Sequence, residues 1–155
     1  MLAKRGRTTP TSKPMDAAPA AIFIAHDPQC RHMTGNRMAH ALLRTQPGSN
    51  LSKSAPDDER LTSYRFMNRG VELHPDDLPV QRAAFSKRPV RNCELEVVLE
   101  DGDMINLLGD AVPMLDENGR VRGSVGVLID ITERKRADDH LRQSQKLESL
   151  GLMAA

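Results

Sequence analysis

The chain has no tryptophan, one tyrosine and three phenylalanines in 155 residues. Too few flat apolar surfaces remain for an aromatic ligand cage. Cysteine is as scarce: Cys30 and Cys93 form neither a disulfide framework nor a zinc pattern, and both sit among apolar neighbours. They read as buried, reduced thiols of a cytoplasmic protein. No apolar run approaches the roughly 20 residues needed to span a bilayer, and the longest candidate, Ala17 to Ala25, is interrupted by Pro19. A membrane segment is not expected in this chain. The basic start, with Lys4, Arg5, Arg7 and Lys13, is followed by no uninterrupted apolar stretch, so a secretory signal is not expected either. Asn50-Leu51-Ser52 is then an idle glycosylation triplet. An excess of one charge is missing as well, because 22 Lys and Arg face 21 Asp and Glu for a net charge of +1. Nucleic acid is therefore excluded as an expected partner. The histidines and cysteines show no CxxC, HExxH or HxxxH spacing, and no nucleophile elbow or phosphate loop is present. Catalysis and metal binding have no foothold, and the length admits one domain with tails but no kinase core.

What is present is organised. Residues 1–16 are rich in Thr, Lys, Arg, Pro and Ser and are read as a disordered basic leader. Ala20 to His26 is a short apolar run closed by Asp27-Pro28, a buried strand ended by a turn, and Cys30 to Thr34 returns as its partner. Asn36 precedes a short helix whose Met38, Ala41 and Leu42 share a face. Residues 49–74 are polar and aperiodic and read as loop, with a fragment of structure around Tyr64 to Met67. His74 to Pro79 stacks two prolines and two acids ahead of Val80 to Phe85, a helix start, and that helix ends before Pro89. Three strand-like runs follow. Cys93 to Leu99 and Met104 to Leu115 flank Asp101-Gly102, and Val121 to Ile131 follows Glu117-Asn118-Gly119, with close packing expected at Gly123 and Gly126. With the first two strands these make a five-stranded antiparallel sheet. Met38, Met104 and Met114 are read as plain core.

After Asp130 the pattern changes. Asp130 and Glu133 are spaced as a capping box, Thr132 to Ala137 has no turn residue to stop a helix, and the helix is expected to run to about residue 153. Along it Ala137, Leu141, Ser144, Leu147 and Leu150 recur at steps of four and three opposite a charged face. So narrow a seam suits a two-chain coiled coil, hence a homodimer through this helix. The alternative is a helix folded back on its own sheet.

These residues resemble a known family, the PAS domain with its C-terminal PAC half, as found in bacterial sensor histidine kinases. The resemblance covers about residues 17–136. It is carried by Ile22 to Asp27, by Thr34-Gly35-Asn36, by Asp116 to Gly119, and above all by Gly123 to Lys135, where Asp130-Ile131-Thr132-Glu133-Arg134-Lys135 closes a strand and opens a helix. Leu141 to Gly151 is similar to the beginning of a histidine kinase dimerisation helix. The resemblance implies an α+β PAS fold, a five-stranded sheet with short helices on one face and a long C-terminal coiled-coil helix. It divides the chain into a leader (1–16), a PAS/PAC domain (17–132) and a signalling helix (133–155).

It also implies a function. Asp130, Ile131, Thr132 and Glu133 would transmit a signal into the helix, toward the kinase core of a longer parent and its response regulator. The phosphoacceptor His of that family lies beyond the stretch ending at Ala155, and the ATP-binding domain is absent. This chain is thus expected not to be an enzyme. No cofactor is expected. None of the histidines is placed as a haem ligand, His40 being the nearest to one, and Asn92-Cys93 lacks the context of a flavin-reactive cysteine. Two other readings stand beside this one: a ligand-free PAS scaffold, and the input of a cyclic-dinucleotide enzyme, which Leu147-Glu148-Ser149-Leu150-Gly151 disfavours.

Overall fold

The computed structural model describes residues 12–151. Its elements run α1 (Ser12–Ala17), β1 (Ala21–Ala25), β2 (Met33–Gly35), α2 (Arg37–Leu43), β3 (Tyr64–Asn68), β4 (Val71–Glu72), a 3₁₀ turn (Pro75–Asp77), α3 (Pro79–Ser86), β5 (Val90–Leu99), β6 (Met104–Leu115), β7 (Val121–Asp130) and α4 (Thr132–Ser149). The strands form one antiparallel sheet in the order β2-β1-β7-β6-β5-β3-β4. The sheet therefore has seven strands, not the five expected. The two additional strands come from the segment read as loop. Tyr64 and Phe66 alternate inward there, and Arg69 and Gly70, both at positive φ, make the tight turn that the sheet's twist favours. β3 then adds to the edge of β5, Tyr64 opposite Leu99 and Phe66 opposite Val97.

The leader also ends sooner than expected. Residues 1–11 lie outside the described residues, but Ser12–Ala17 is helical and packs against α2. Asn36 makes that contact. Its Oδ1 accepts from the Ala39 and Ile22 amides, and its Nδ2 donates to the Met15 and Ala20 carbonyls. One buried amide thus caps α2, pins it to β1 and holds α1. The same bonds set the phase of α2, which buries Ala39, His40 and Leu43 instead of the expected Met38, Ala41 and Leu42 face.

The core lies between the sheet and its helices, where Leu107, Val97, Tyr64 and Leu43 are fully buried. α3 crosses β5, β6 and β7. Its close approach needs Gly126, where an added Cβ would lie 2.6 Å from Val80 Cγ2, and at Gly123 an added Cβ would strike the Ala25 carbonyl of β1. Both glycines are therefore packed as the sequence suggested. The methionines are not. Met38 is exposed on the outer side of α2, and Met104 is exposed and Met114 only half-buried because even-numbered residues of β6 point to the face away from α2 and α3. Val112, Val127 and Ile129 on that face are exposed too.

Candidate functional site

Two places in the fold gather chemistry: the junction where β7 becomes α4, and the space between the sheet and α3.

At the junction, strand pairing sets Leu107 opposite Asp130, so Asn106 of β6 lies beside the start of the helix. The Ile131 amide donates to the Asn106 carbonyl at 2.8 Å, and the Asn106 amide donates to Thr132 Oγ1 at 2.9 Å. Asp130 Oδ1 accepts from the Thr132 amide at 2.9 Å and from the Thr132 hydroxyl. The Thr132 hydroxyl is thus donor to one strand's carboxylate and acceptor from the next strand's backbone. Ile131 occupies the helix cap position and no side chain caps it there, so the expected capping box of Asp130 and Glu133 does not form. Asp130 closes an Asx-type turn one residue earlier instead, and exposed Glu133 faces the positive end of the helix dipole. One turn on, Lys135 Nζ reaches Glu94 Oε1 of β5 at 2.7 Å, and that carboxylate raises the ammonium's pKa. Sequence reasoning found Asp130 and Thr132 but missed Asn106 as the partner of Thr132 and the Lys135–Glu94 pair beside it.

Beyond this lock α4 leaves the domain. Among the described residues none of the helix is buried. Leu141 and Leu150 are 57% and 62% exposed, Ala137 is exposed, and Ser144 and Leu147 are partly covered. The five residues expected to form a seam are thus not buried against the sheet in the structure.

Under the sheet, Phe23, Met33, Leu95 and Leu128 with Val80 and Gln81 of α3 line a half-open cavity of about 30 Å³, room for about one or two waters. His40 does not face this cavity. It is buried on α2 with Nδ1 2.9 Å from Thr45 Oγ1, and burial lowers its pKa. Cys93 lies half-buried on β5 against the core and Cys30 is fully buried. Among the described residues no cluster of three or more His, Cys, Asp or Glu could hold a metal, and no helix is long and apolar enough to cross a membrane.

Cys30 gives a direct test of this packing. Desolvation foremost, then Asp27 and Asp76, pushes its thiol up to about 12. A thiol held so far above the ordinary range supplies almost no thiolate at about pH 8. Ellman's reagent should then label Cys30 only after denaturation. Rapid labelling in the folded protein would contradict the closed turn at residues 27–32.

An antiparallel sheet with short helices on one face and an exit helix leaving its last strand is the architecture of a PAS fold, and comparison with solved structures bears this out. A sensory box histidine kinase/response regulator from Burkholderia thailandensis superposes with a TM-score of 0.55 at 21% identity, covering 86% of this chain and 93% of that one. The PAS domain of Bordetella pertussis BvgS gives 0.54 at 20% identity, over 92% and 98%. An RNA-binding light-oxygen-voltage receptor gives 0.62 at 18% identity, over 98% of this chain and 40% of that one. At these identities the likeness is one of fold. In sequence, the methyl sulfide methyltransferase-associated sensor of Methanosarcina acetivorans is 29% identical over 147 residues, 86% of this chain and 14% of that protein. The chain therefore spans a small part of that relative's length. No family model matches the chain.

Proposed function

We propose that this chain is the sensory and dimerising input module of a two-component sensor histidine kinase, passing a signal through paired α4 helices to a kinase core and its response regulator. The observation that carries the reading is the lock at the end of β7, where Thr132 is bound at once to Asp130 and to the backbone of β6. A shift of β6 against β7 would move Asn106 and, with it, the first turn of an 18-residue helix. That helix is about 27 Å long, so a small rotation at the sheet becomes a displacement at its far end. Supporting the sensory role, the curated relative is itself called a sensor, and one structure of the same fold is a sensory box histidine kinase. The module itself performs no phosphoryl chemistry in this reading. The smallness of the interior cavity favours, as second reading, a scaffold that sets dimer geometry without an enclosed ligand.

Thr132→Val tests the lock while keeping the side chain's shape. It leaves the Asn106 amide without its acceptor, at a cost of about 1 kcal/mol, and should lower the melting temperature by about 2–4 °C. Hydrogen exchange should rise along residues 133–147 and stay unchanged in β5 and β1. Uniform protection in the variant would remove the lock as a transmission point. The output is tested by the residues following Ala155 in the parent: a His followed by an acid is expected, and a cyclic-dinucleotide enzyme domain there would overturn the kinase assignment.

A further inference from the structure

The loop of residues 49–63 sends one cation inward. Lys53 Nζ donates to the carbonyls of Leu61 at 2.7 Å and Tyr64 at 2.9 Å and lies 4.7 Å from the centre of the Tyr64 ring. Among the described residues no carboxylate forms an ion pair with it. An ammonium has three N–H groups, so one remains beyond the two carbonyls. Burial lowers the pKa of Lys53, with Glu72 opposing and nearby Arg60 reinforcing that shift, as for a partly desolvated charge whose acidic neighbour lies beyond ion-pair reach.

Lys53 stands in the wall between two spaces. One is the small interior cavity. The other is a groove of about 410 Å³ between the loop, β3 and the 3₁₀ turn, and Lys53, Phe66 and Leu78 line both. The groove adds two further cations. Arg60 is engaged by Asp57 at 2.8 Å, whereas Arg65 reaches Glu72, the groove's one acid, only at 3.5 Å. Phe66, Leu73 and Leu78 supply its apolar lining. The groove is therefore lined by both basic and apolar side chains, and of a size that suits a small molecule.

We infer that this groove binds a small organic carboxylate with an apolar body, its carboxylate on Lys53 and Arg65 and its body against Phe66 and Leu78. Such a ligand supplies a contact ion-pair partner and covers apolar surface in one step. A bare inorganic anion would leave the apolar wall wet. A neutral ligand would leave the ammonium unpaired. The site names an input for the sensory reading above, but its test is separate: binding is measured on this chain alone, and failure of the kinase assignment would leave it untouched.

The probes are hexanoate, hexanol and inorganic phosphate, titrated into the chain by calorimetry and by NMR. Hexanoate is expected to bind saturably and to shift the resonances of Lys53, Phe66 and Leu78, with hexanol and phosphate at least about tenfold weaker. Lys53→Met should weaken hexanoate by about tenfold or more. Because Lys53 also ties the loop to β3, Arg65→Gln provides a second variant that keeps the Lys53 bonds, with an expected loss of about threefold. No saturable hexanoate binding, shifts that avoid Phe66 and Leu78, or equal binding of phosphate would each overturn the inference.

Discussion

Replacing Leu141 and Leu147 together with glutamate should turn the proposed dimer into a monomer and leave the sheet folded. If these residues form the seam, the change places four carboxylates between two helices, where unpaired charges lose their solvation. The loss in dimer affinity should exceed about a hundredfold. The monomer has little to lose. Leu141 is 57% exposed, no α4 residue is buried, and the anchoring bonds at Ile131, Thr132 and Lys135 lie one turn or more before the substitutions. Exposed substitutions of this kind change stability by about 0.5 kcal/mol or less, which is at most about 1–2 °C in melting temperature. Sedimentation equilibrium and thermal melts on Leu141→Glu, Leu147→Glu read both quantities. An unchanged mass with a sharply lowered melting point would end the dimer-linker proposal, since it would put the helix in the domain's own core.

Gly109→Ala should do the opposite, striking the sheet and not the dimer seam. Gly109 of β6 pairs with Leu128 of β7, and an added Cβ would collide with the Val127 carbonyl and lie 2.8 and 2.9 Å from the Leu128 Cδ2 and Cα. Backbone atoms of a central strand cannot move aside as a side-chain tip can. Relief requires that β6 and β7 separate, at a cost of about 3 kcal/mol or more and a fall of about 6–12 °C in melting temperature. Gly119→Ala is the control. Its φ is +78° and nothing lies within 4 Å of the added methyl, so only the strain of a left-handed residue is felt, about 1–2 kcal/mol. A melt in which the two substitutions cost the same would show that β6 and β7 do not pack as closely as Gly109 requires.

The outcome at particular residues shows how much of this was legible beforehand. β1, β5, β6, β7 and the helix after Thr132 follow from alternation of apolar residues between turn signals such as Asp101-Gly102 and Asn118-Gly119, which the structure uses at positive φ on both glycines. The β3–β4 hairpin was not legible as two strands. It carries only Tyr64 and Phe66 as large inward residues, and the surface that makes a strand of it, β5, begins more than 20 residues later. Asp130 and Glu133 stood out by their spacing, yet the capping box they suggested gave way to an Asx-type turn from Asp130 to the Thr132 amide once the β6 backbone supplied the acceptor for the Ile131 amide. The candidate ligand groove had no sequence signal. Lys53, Arg60 and Arg65 lie in a polar, aperiodic stretch, and nothing there distinguishes a solvated cation from a buried one.

The amino-acid sequence by itself determined the strand and helix periods, the turns at glycine, the α+β class and the exit helix with its narrow apolar seam, because each depends on residues within about ten positions of one another. Only the tertiary structure decided the two additional strands β3 and β4, the partners Asn106 and Glu94 of the junction, and the placement of Lys53 beside a groove. Those depend on sheet register, and register is settled by the pairing of whole strands, in which a slip of one residue would send every side chain to the opposite face.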